Sequence, residues 1–332
     1  MEDRKKKHIE LALQTQLSKS EIDNRFEYEP MMSAHPVVDL QDEFIFLEKK
    51  FRVPIWISSM TGGTPLAKSI NTNLAKACHD FGMGMGLGSC RVLLDDDSCF
   101  NDFNVRNTIG DDKALFANLG ICQIEQLISS DRSQKIHDLV HRLQADGLII
   151  HVNPIQEWIQ PEGDRLKNTP VKTIEKFIEN TDYQIIVKEV GQGMGRESLT
   201  ALLRLPLAAI EFAAFGGTNF SNLELQRRND EESVCYVPFS RVGVDAGRMT
   251  DQVNSICRDE NNIRCKQVIV SGGIKSFLDG YYYISKLKLP AIYGQASEFL
   301  KYAKEGYEPL HRFVEGQVAG LRMAQAYLRI RE

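Results

Sequence analysis

The chain has 332 residues, of which 42% are hydrophobic and 26% charged, and its formal net charge is −5 at pH 7. This composition is close to the globular average, which argues against disorder, collagen and coiled coil. The acidic balance argues against nucleic acid as a partner, and no apolar run approaches the roughly 20 residues that cross a bilayer. The charged N-terminus lacks an apolar signal segment, and the seven cysteines form no Cys-x-x-Cys pair. We therefore expect a cytoplasmic protein with reduced cysteines, bound neither to nucleic acid nor to a membrane.

Eight short apolar runs recur along the chain, and each of them ends in glycine or polar residues. They span residues 53–58, 82–87, 114–117, 148–150, 185–187, 208–214, 267–270 and 291–293. Continuous apolar runs are typical of strands that are buried on both faces, as in a parallel sheet. The runs therefore predict eight strands of one parallel sheet.

Segments with helical spacing lie between these predicted strands. They span residues 66–81, 124–143, 171–178, 196–205 and 276–287. Alternation of strand and helix predicts right-handed β-α-β units, and eight such units in about 250 residues match a closed (β/α)8 TIM barrel of the α/β class. An open doubly wound sheet is the alternative, but no Gly-x-Gly-x-x-Gly run opens a helix after an early strand.

The whole chain, residues 1–332, is expected to form a single domain. An N-terminal extension over residues 1–50 would lie over or beside the mouth of the barrel, which itself spans residues 53–300. Residues 307–332 would form a C-terminal helix that packs on the barrel. The long connection over residues 219–266 is typical of a lid or a disordered loop at the catalytic face.

Glycine-containing turns follow the last three predicted strands, at residues 216–218, 271–274 and 294–297. The C-terminal ends of all barrel strands converge on one mouth, so these turns would be neighbours. Backbone N–H groups beside glycine can approach an anion closely, and barrels often hold phosphate after strands seven and eight. Glycines that only make tight turns are the alternative, but three adjacent turns favour a phosphate site.

Lys188 ends the fifth predicted strand, which is otherwise apolar. A lysine that emerges there needs an anionic or electron-rich partner. A reduced flavin ring and a Schiff base are two functional possibilities, and an ion pair with Glu189 or another acid is the structural one.

A histidine, two amides and a carboxylate follow the fourth predicted strand within seven residues, at His151, Asn153, Gln156 and Glu157. Such density suits a polar ligand better than a buried structural histidine. A single carboxylate, together with water and a substrate phosphate, is a usual Mg²⁺ site. This segment is therefore the predicted substrate and metal site.

Basic residues near the N-terminus include Arg4, Lys5 and His8, and Arg91 follows a Gly-Ser pair. Arginine can grip a phosphate with two hydrogen bonds, so the N-terminal residues could form an arm that closes on an anion. A solvated terminus is the alternative. The acidic run over residues 95–97 is interpreted as a solvated turn.

On these motifs the chain resembles the type 2, flavin-dependent isopentenyl diphosphate isomerases. Matching stretches run in order along nearly the whole chain, at residues 4–8, 60–63, 88–91, 118–120, 151–157 with 161–164, 188–191, 216–218, 271–274 and 294–300. The most specific is His-x-Asn-x-x-Gln-Glu followed by Pro-Glu-Gly-Asp. Cys90, Glu298 and the bulky residues 210–214 depart from the pattern that we expect of this family.

The resemblance implies an FMN-containing barrel that interconverts isopentenyl and dimethylallyl diphosphate in isoprenoid biosynthesis. Reduced FMN would act as acid and base, NADPH would be the reductant, and Mg²⁺ would bridge the diphosphate. Catalytic roles would fall to Lys188, Gln156 and His151. The resemblance also implies a homo-oligomer, a tetramer or an octamer.

The same resemblance assigns the ligands to individual residues. It assigns FMN to Ser59, Met60, Thr61, Ser89, Asn118, Lys188, Thr218, Gly272, Gly273, Ala296 and Ser297. It assigns the substrate to Arg4, Lys5, His8, Ser89, Arg91, His151, Asn153 and Gln156. It assigns Mg²⁺ to Glu157.

Two other functions compete with this one. An FMN-dependent barrel of the 2-hydroxy-acid oxidase type would need a histidine base after strand seven, where residues 271–273 supply none. A non-catalytic protein that binds anions or nucleic acid through its basic arm would leave Glu157 and the glycine turns unexplained.

Overall fold

The computed structural model describes residues 2–37, 43–59, 65–228 and 231–331. Its strands are β1 Phe26–Tyr28, β2 Phe44–Phe46, β3 Lys49–Phe51, β4 Ile55–Ile57, β5 Gly84–Gly86, β6 Leu115–Gly120, β7 Gly147–His151, β8 Gln184–Lys188, β9 Ala209–Glu211, β10 Val268–Ser271, β11 Ala291–Gln295 and β12 Leu328–Ile330.

Most of the α-helices alternate with the strands along the chain. They are α1 Glu2–Leu11, α2 Pro65–Phe81, α3 Phe100–Phe103, α4 Arg106–Ile109, α5 Ile121–Ser129, α6 Gln134–Arg142, α7 Pro154–Ile159, α8 Pro170–Ile178, α9 Arg196–Leu203, α10 Phe220–Arg227, α11 Ala246–Asp259, α12 Phe277–Lys286, α13 Ser297–Glu305 and α14 Tyr307–Tyr327. In the described part of the chain, 3₁₀ helices span Lys19–Glu21, Arg91–Leu94 and Glu231–Arg241. Among the helices that the structure describes, none combines the length and the apolar content that crossing a bilayer requires.

Strands β4 to β11 form a closed barrel of parallel strands, in which each strand pairs with the next and β11 pairs with β4. All eight predicted strands are present in it, and helices surround the barrel. The predicted (β/α)8 fold is therefore confirmed.

The interior of the barrel is built in two layers because side chains alternate along a strand. The lower layer is apolar and belongs to one buried cluster that includes Trp56, Phe116, Ile149, Ile186, Ala209 and Ile269. Two positions further along the same strands stands a polar layer, which consists of Ser58, Asn118, His151, Lys188, Glu211 and Ser271. The apolar layer thus lies directly beneath the polar side chains at the mouth of the barrel.

A hairpin of β2 and β3 closes the other end of the barrel. Leu47 and Phe51 belong to the inner apolar cluster. The backbone N–H of Leu47 donates to the Gln267 side chain (3.0 Å), and Lys49 pairs with Asp146 (2.9 Å). Both partners directly precede barrel strands, so this part of the predicted N-terminal extension lies opposite to the mouth.

The C-terminal helix α14 packs on α2, α12 and α13. Leu310, Val314, Val318 and Leu321 form its buried face. The helix ends at Tyr327, before the end of the predicted one, because β12 instead pairs antiparallel with β1.

The predicted helix over residues 124–143 is wrong as a single element. The structure has two helices there, α5 and α6, separated by a turn in which Asp131 adopts a φ of 56°. A left-handed residue cannot continue a right-handed helix, so the chain changes direction at this point.

The disordered loop that was one of the two alternatives for residues 219–266 is wrong for most of their length, because α10, a 3₁₀ helix and α11 lie there. Helix α11 buries Met249, Val253 and Ile256, which have helical spacing. The Asp245 side chain caps the helix by accepting the backbone N–H of Arg248 (3.0 Å).

Candidate active site

Among the cavities formed by the described residues, two that share lining residues open at the mouth of the barrel. The first, which we call the glycine cavity, has a volume of about 470 Å³ and is lined by the loops after β9, β10 and β11. The second, which we call the amide cavity, has a volume of about 270 Å³ and lies between the ends of β6, β7 and β8. Ser59, Lys188, Val190 and Phe220 line both of them.

The residues that the sequence assigned to ligands are divided between these cavities. The glycine cavity is lined by Ser59, Lys188, Thr218, Gly272, Gly273, Ala296 and Ser297. The amide cavity is lined by Ser59, Ser89, Arg91, Asn118, His151, Asn153, Gln156, Glu157 and Lys188. The mouth therefore gathers side chains from distant parts of the chain.

Among the described residues, three of those assigned to ligands are not brought to the mouth by the structure, and two further assigned residues cannot be placed. Met60 and Thr61 lie outside the described residues. Arg4, Lys5 and His8 lie on α1, whose described side chains are exposed, and they line neither cavity. Their part in binding a ligand stays a prediction.

The wall of the glycine cavity is backbone held in conformations that favour glycine. Gly216, Gly272 and Gly273 have φ values of 120°, 86° and 73°. A Cβ atom on Gly272 would lie 2.1 Å from the carbonyl oxygen of Ala214. The N-terminus of α13 completes this wall at Ser297. Bare backbone beside a helix N-terminus is a suitable cradle for a phosphate group.

We expect Gly272→Ala to lower the free energy of unfolding by at least about 2 kcal/mol, because a side chain here is strained at positive φ and collides with backbone. Gly316→Ala is the control, since a Cβ there meets nothing within 4 Å in helix α14 and should stabilise the protein by about 0.5–1 kcal/mol. Urea unfolding of both variants measures the difference, and equal stabilities would contradict the strained cradle.

Lys188 stands where the two cavities meet, with 7% of its surface exposed. Its Nζ donates to the backbone carbonyl of Glu189 (2.7 Å). The Glu189 carboxylate is occupied elsewhere, because its Oε2 accepts backbone N–H groups of Gly191, Gln192 and Gly193 at 2.6–2.9 Å. Burial raises the pKa of Glu189 in spite of these bonds. The side-chain ion pair between Lys188 and Glu189 considered from the sequence is thus not formed, and Lys188 lines both cavities.

His151 is a neutral hydrogen-bond acceptor toward the amide cavity. The amide nitrogen of Asn118 donates to the carbonyl of Leu87 (3.1 Å), which turns its oxygen to His151 Nδ1 (2.7 Å). An amide oxygen only accepts, so Nδ1 carries the hydrogen and Nε2 keeps a lone pair. Burial, together with the charge of Lys188, lowers the pKa of His151 to about 3.

We expect the pKa of His151 to make stability depend on pH. Because the unfolded side chain titrates near 6.5 and the folded one near 3, stability falls as pH falls from about 6.5. His151→Gln should remove up to about 1.4 kcal/mol per pH unit from that dependence between pH 6.5 and 5. Urea unfolding across this range measures the slope, with exposed His8→Gln as the control. A slope that His151→Gln leaves unchanged would contradict the neutral, half-buried imidazole.

Helix α7 places Gln156 and Glu157 in its first turn, with Asn153 before Pro154 at the helix start. The Asn153 amide donates to the side-chain oxygens of Gln156 (3.0 Å) and Glu157 (3.2 Å). The other Glu157 oxygen accepts the backbone N–H of Asp164 (2.8 Å). Glu157 and Asn153 are both buried, and Asn153 Oδ1 has no hydrogen-bond partner.

This arrangement suits a metal ion that takes few ligands from the protein and the rest from water and phosphate. Among the described residues, no three side chains of His, Cys, Asp or Glu are grouped so that they could hold an ion by themselves. Glu157 and the free oxygen of Asn153 supply hard oxygen donors, and a carboxylate can accept more bonds than Glu157 now makes. Mg²⁺ commonly takes one or two protein oxygens and completes its shell with water and phosphate.

Two buried acidic residues at or beside the site, Glu211 and Glu224, were not predicted from the sequence. Glu224 on α10 accepts a hydrogen bond from the Gln156 amide (3.1 Å), which ties the segment after β9 to α7. Glu211 ends β9 and lines the glycine cavity. The only sequence signal for Glu211 is a charge inside the apolar run over residues 208–214, and Glu224 had no local signal.

Cys90 and Glu298, which depart from the family pattern, differ in their position relative to the cavities. Cys90 is fully buried, its thiol donates to the carbonyl of Gly88, and burial raises its pKa to about 12. It lines neither cavity, whereas the neighbouring Ser89 and Arg91 line the amide cavity. Glu298 does line the glycine cavity, in the first turn of α13.

Solved structures with the same architecture include the flavin-binding domain of baker's yeast flavocytochrome b2. It is 14% identical, with 91% of this chain and 72% of that chain covered and a TM-score of 0.63. A mandelate oxidase with a monooxide FMN adduct is 13% identical, with 92% and 88% covered and a TM-score of 0.55. These likenesses show the fold alone and place the chain in the class of (β/α)8 barrel proteins.

Two proteins of similar sequence identify the family within this class. Isopentenyl-diphosphate delta-isomerase of Rickettsia bellii is 34% identical over 306 residues, which cover 90% of this chain and 85% of the relative. The protein of the same name from Synechocystis sp. is 33% identical over 329 residues, which cover 97% and 90%. The chain therefore belongs to the isopentenyl-diphosphate delta-isomerase family and is an enzyme, as the sequence motifs predicted. No family model matches it.

Proposed function

We propose that this enzyme interconverts isopentenyl and dimethylallyl diphosphate, with FMN in the glycine cavity and the substrate diphosphate in the amide cavity. The observation that carries the proposal is the position of Lys188, which lines both cavities. A flavin ring that extends from one cavity and a five-carbon chain that extends from the other would meet at this side chain.

The glycine cavity fits FMN in two ways. Its wall offers bare backbone at Gly272 and Gly273, where a Cβ atom on Gly272 would collide with the main chain. Its lining also holds three buried oxygens without hydrogen-bond partners, Ser59 Oγ, Glu211 Oε2 and Gln295 Oε1. Buried polar atoms are normally paired, so these atoms favour a polar ligand.

The amide cavity fits a diphosphate together with Mg²⁺. Glu157 and Asn153 supply the oxygens for the metal, and Arg91, which pairs with Asp164 (3.2 Å), supplies a cation at the same wall. The charge of a bound diphosphate favours protonation of His151 Nε2, which would then donate to a phosphate oxygen. Binding energy from the diphosphate would thus hold the short hydrocarbon chain in position.

The reaction moves a double bond by one position, which requires one proton to be added and another removed. Reduced FMN, produced with NADPH, would supply the acid and the base. Lys188 would stabilise negative charge on the reduced ring, because a cation in a poorly hydrated site interacts strongly. Gln156, held by Asn153 and Glu224, would orient the substrate beside the ring. The structured segment of α10 would exclude water, which would otherwise trap a carbocation-like state.

An anaerobic assay tests the proposal. The purified protein with FMN, NADPH, Mg²⁺ and isopentenyl diphosphate should produce dimethylallyl diphosphate, and product analysis should show none when FMN or Mg²⁺ is omitted. Reduction of bound flavin by lactate without any isomerisation would instead favour the 2-hydroxy-acid oxidase alternative. A colourless protein that takes up no FMN and forms no product would overturn the proposal.

A further inference from the structure

Glu211 is a buried carboxylate that is only half satisfied. It is 0% exposed and lines the glycine cavity. Its Oε1 accepts hydrogen bonds from the hydroxyl groups of Ser58 (2.6 Å) and Ser271 (3.0 Å), whereas Oε2 has no partner. A carboxylate buried in this way needs a further donor, since leaving it unpaired is costly.

The place of Glu211 in the barrel limits what that donor can be. On one side, Glu211 pairs in register with Lys188 of the neighbouring strand β8. On the other side, its partner Ser271 directly precedes Gly272 of the glycine wall. Glu211 therefore lies between the side chain proposed to contact the ring and the backbone proposed to hold the phosphate.

We infer that Glu211 binds the polyol chain of the flavin by accepting a hydrogen bond from one of its hydroxyl groups at Oε2. The inference rests on the proposed function, since it requires FMN in the glycine cavity. In FMN the atoms between ring and phosphate carry hydroxyl groups, which are the donors that a half-satisfied carboxylate lacks. Ser58 and Ser271 are positioning residues, because their bonds to Oε1 fix the direction of Oε2.

Flavin binding to the Glu211→Gln variant tests the inference without relying on activity. Fluorescence quenching gives the dissociation constants of FMN and of riboflavin, which shares the polyol chain and lacks the phosphate. Both constants should rise by the same factor, roughly tenfold, because a charge-assisted bond is lost. The visible spectrum of bound FMN should match that of the unmodified protein, since the contact is not with the ring.

Glu125→Gln is the matched control. Glu125 is also a buried carboxylate, but it accepts backbone N–H groups of Lys167 (2.9 Å) and Asn168 (2.7 Å) and lines neither cavity. This variant should bind FMN like the unmodified protein. If Glu211→Gln does not fold, Ser58→Ala gives a weaker form of the same readout, with both constants rising about threefold.

Three outcomes would overturn the inference while leaving the proposed function intact. They are an FMN constant within twofold of the unmodified protein, a loss confined to FMN and absent for riboflavin, and a shifted spectrum of bound FMN. The first would leave Glu211 without a ligand, the second would assign it to the phosphate, and the third would assign it to the ring. Failure of the unmodified protein to bind FMN would overturn the proposed function as well.

Discussion

Glu157→Gln is expected to lower turnover about a thousandfold at every Mg²⁺ concentration, while FMN stays bound. Glutamine keeps the shape of the side chain, and its one oxygen can still accept from either the Asn153 amide or the Asp164 backbone N–H, but it removes the carboxylate charge. A metal that neutralises a phosphate is worth several kcal/mol, and a thousandfold loss corresponds to about 4 kcal/mol.

Steady-state assays over a wide range of Mg²⁺ concentration, with the flavin spectrum recorded in parallel, measure this effect. Glu162→Gln is the control, because Glu162 lies in the same segment, pairs with Arg227 at the surface and should not affect turnover by more than about twofold. Normal turnover of Glu157→Gln across the Mg²⁺ range would remove this residue from the metal site.

Lys188→Met is expected to lower the two-electron reduction potential of bound FMN by roughly 60 mV, or about 2.8 kcal/mol. Lys188 is buried at the meeting point of the two cavities, where a positive charge stabilises the negative charge of a reduced ring. Methionine keeps much of the side-chain volume and removes the charge. Reduction by NADPH should slow accordingly.

Equilibration with a reference dye of known potential measures this shift. Lys275→Met is the matched control, because Lys275 also lines the glycine cavity but is exposed, so that solvent screens its charge. Its effect should be a small fraction of the effect at Lys188. An unchanged potential and reduction rate in Lys188→Met would contradict the electrostatic role of the lysine.

The barrel could be predicted from the sequence because its strands are buried on both faces. Such strands appear as continuous apolar runs, and each run ended at the residues that now form the mouth. The predicted run over residues 185–187, for example, lies within β8 and is followed by Lys188. The dense polar segment from His151 to Glu157 was found for the same reason, since it directly follows a strand.

Contacts between distant segments could not be predicted in the same way. Glu224 accepts a hydrogen bond from the side chain of Gln156, which lies 68 residues earlier in the chain. Nothing in the sequence of the short helix α10 predicts that contact. The hairpin of β2 and β3 depends on pairing with the far end of the barrel, which local patterns do not show. Helix α11 did carry a signal, the capping Asp245 and helically spaced apolar residues, but the polar stretch before it favoured a loop.

The most direct measurement is a crystal structure of the protein with FMN, Mg²⁺ and isopentenyl diphosphate under reducing conditions. We expect the flavin phosphate against Gly272 and Gly273, the diphosphate and metal between His151 and Glu157, and the ring beside Lys188. Ligands bound on separate surfaces, or a flavin away from the glycine cavity, would contradict it.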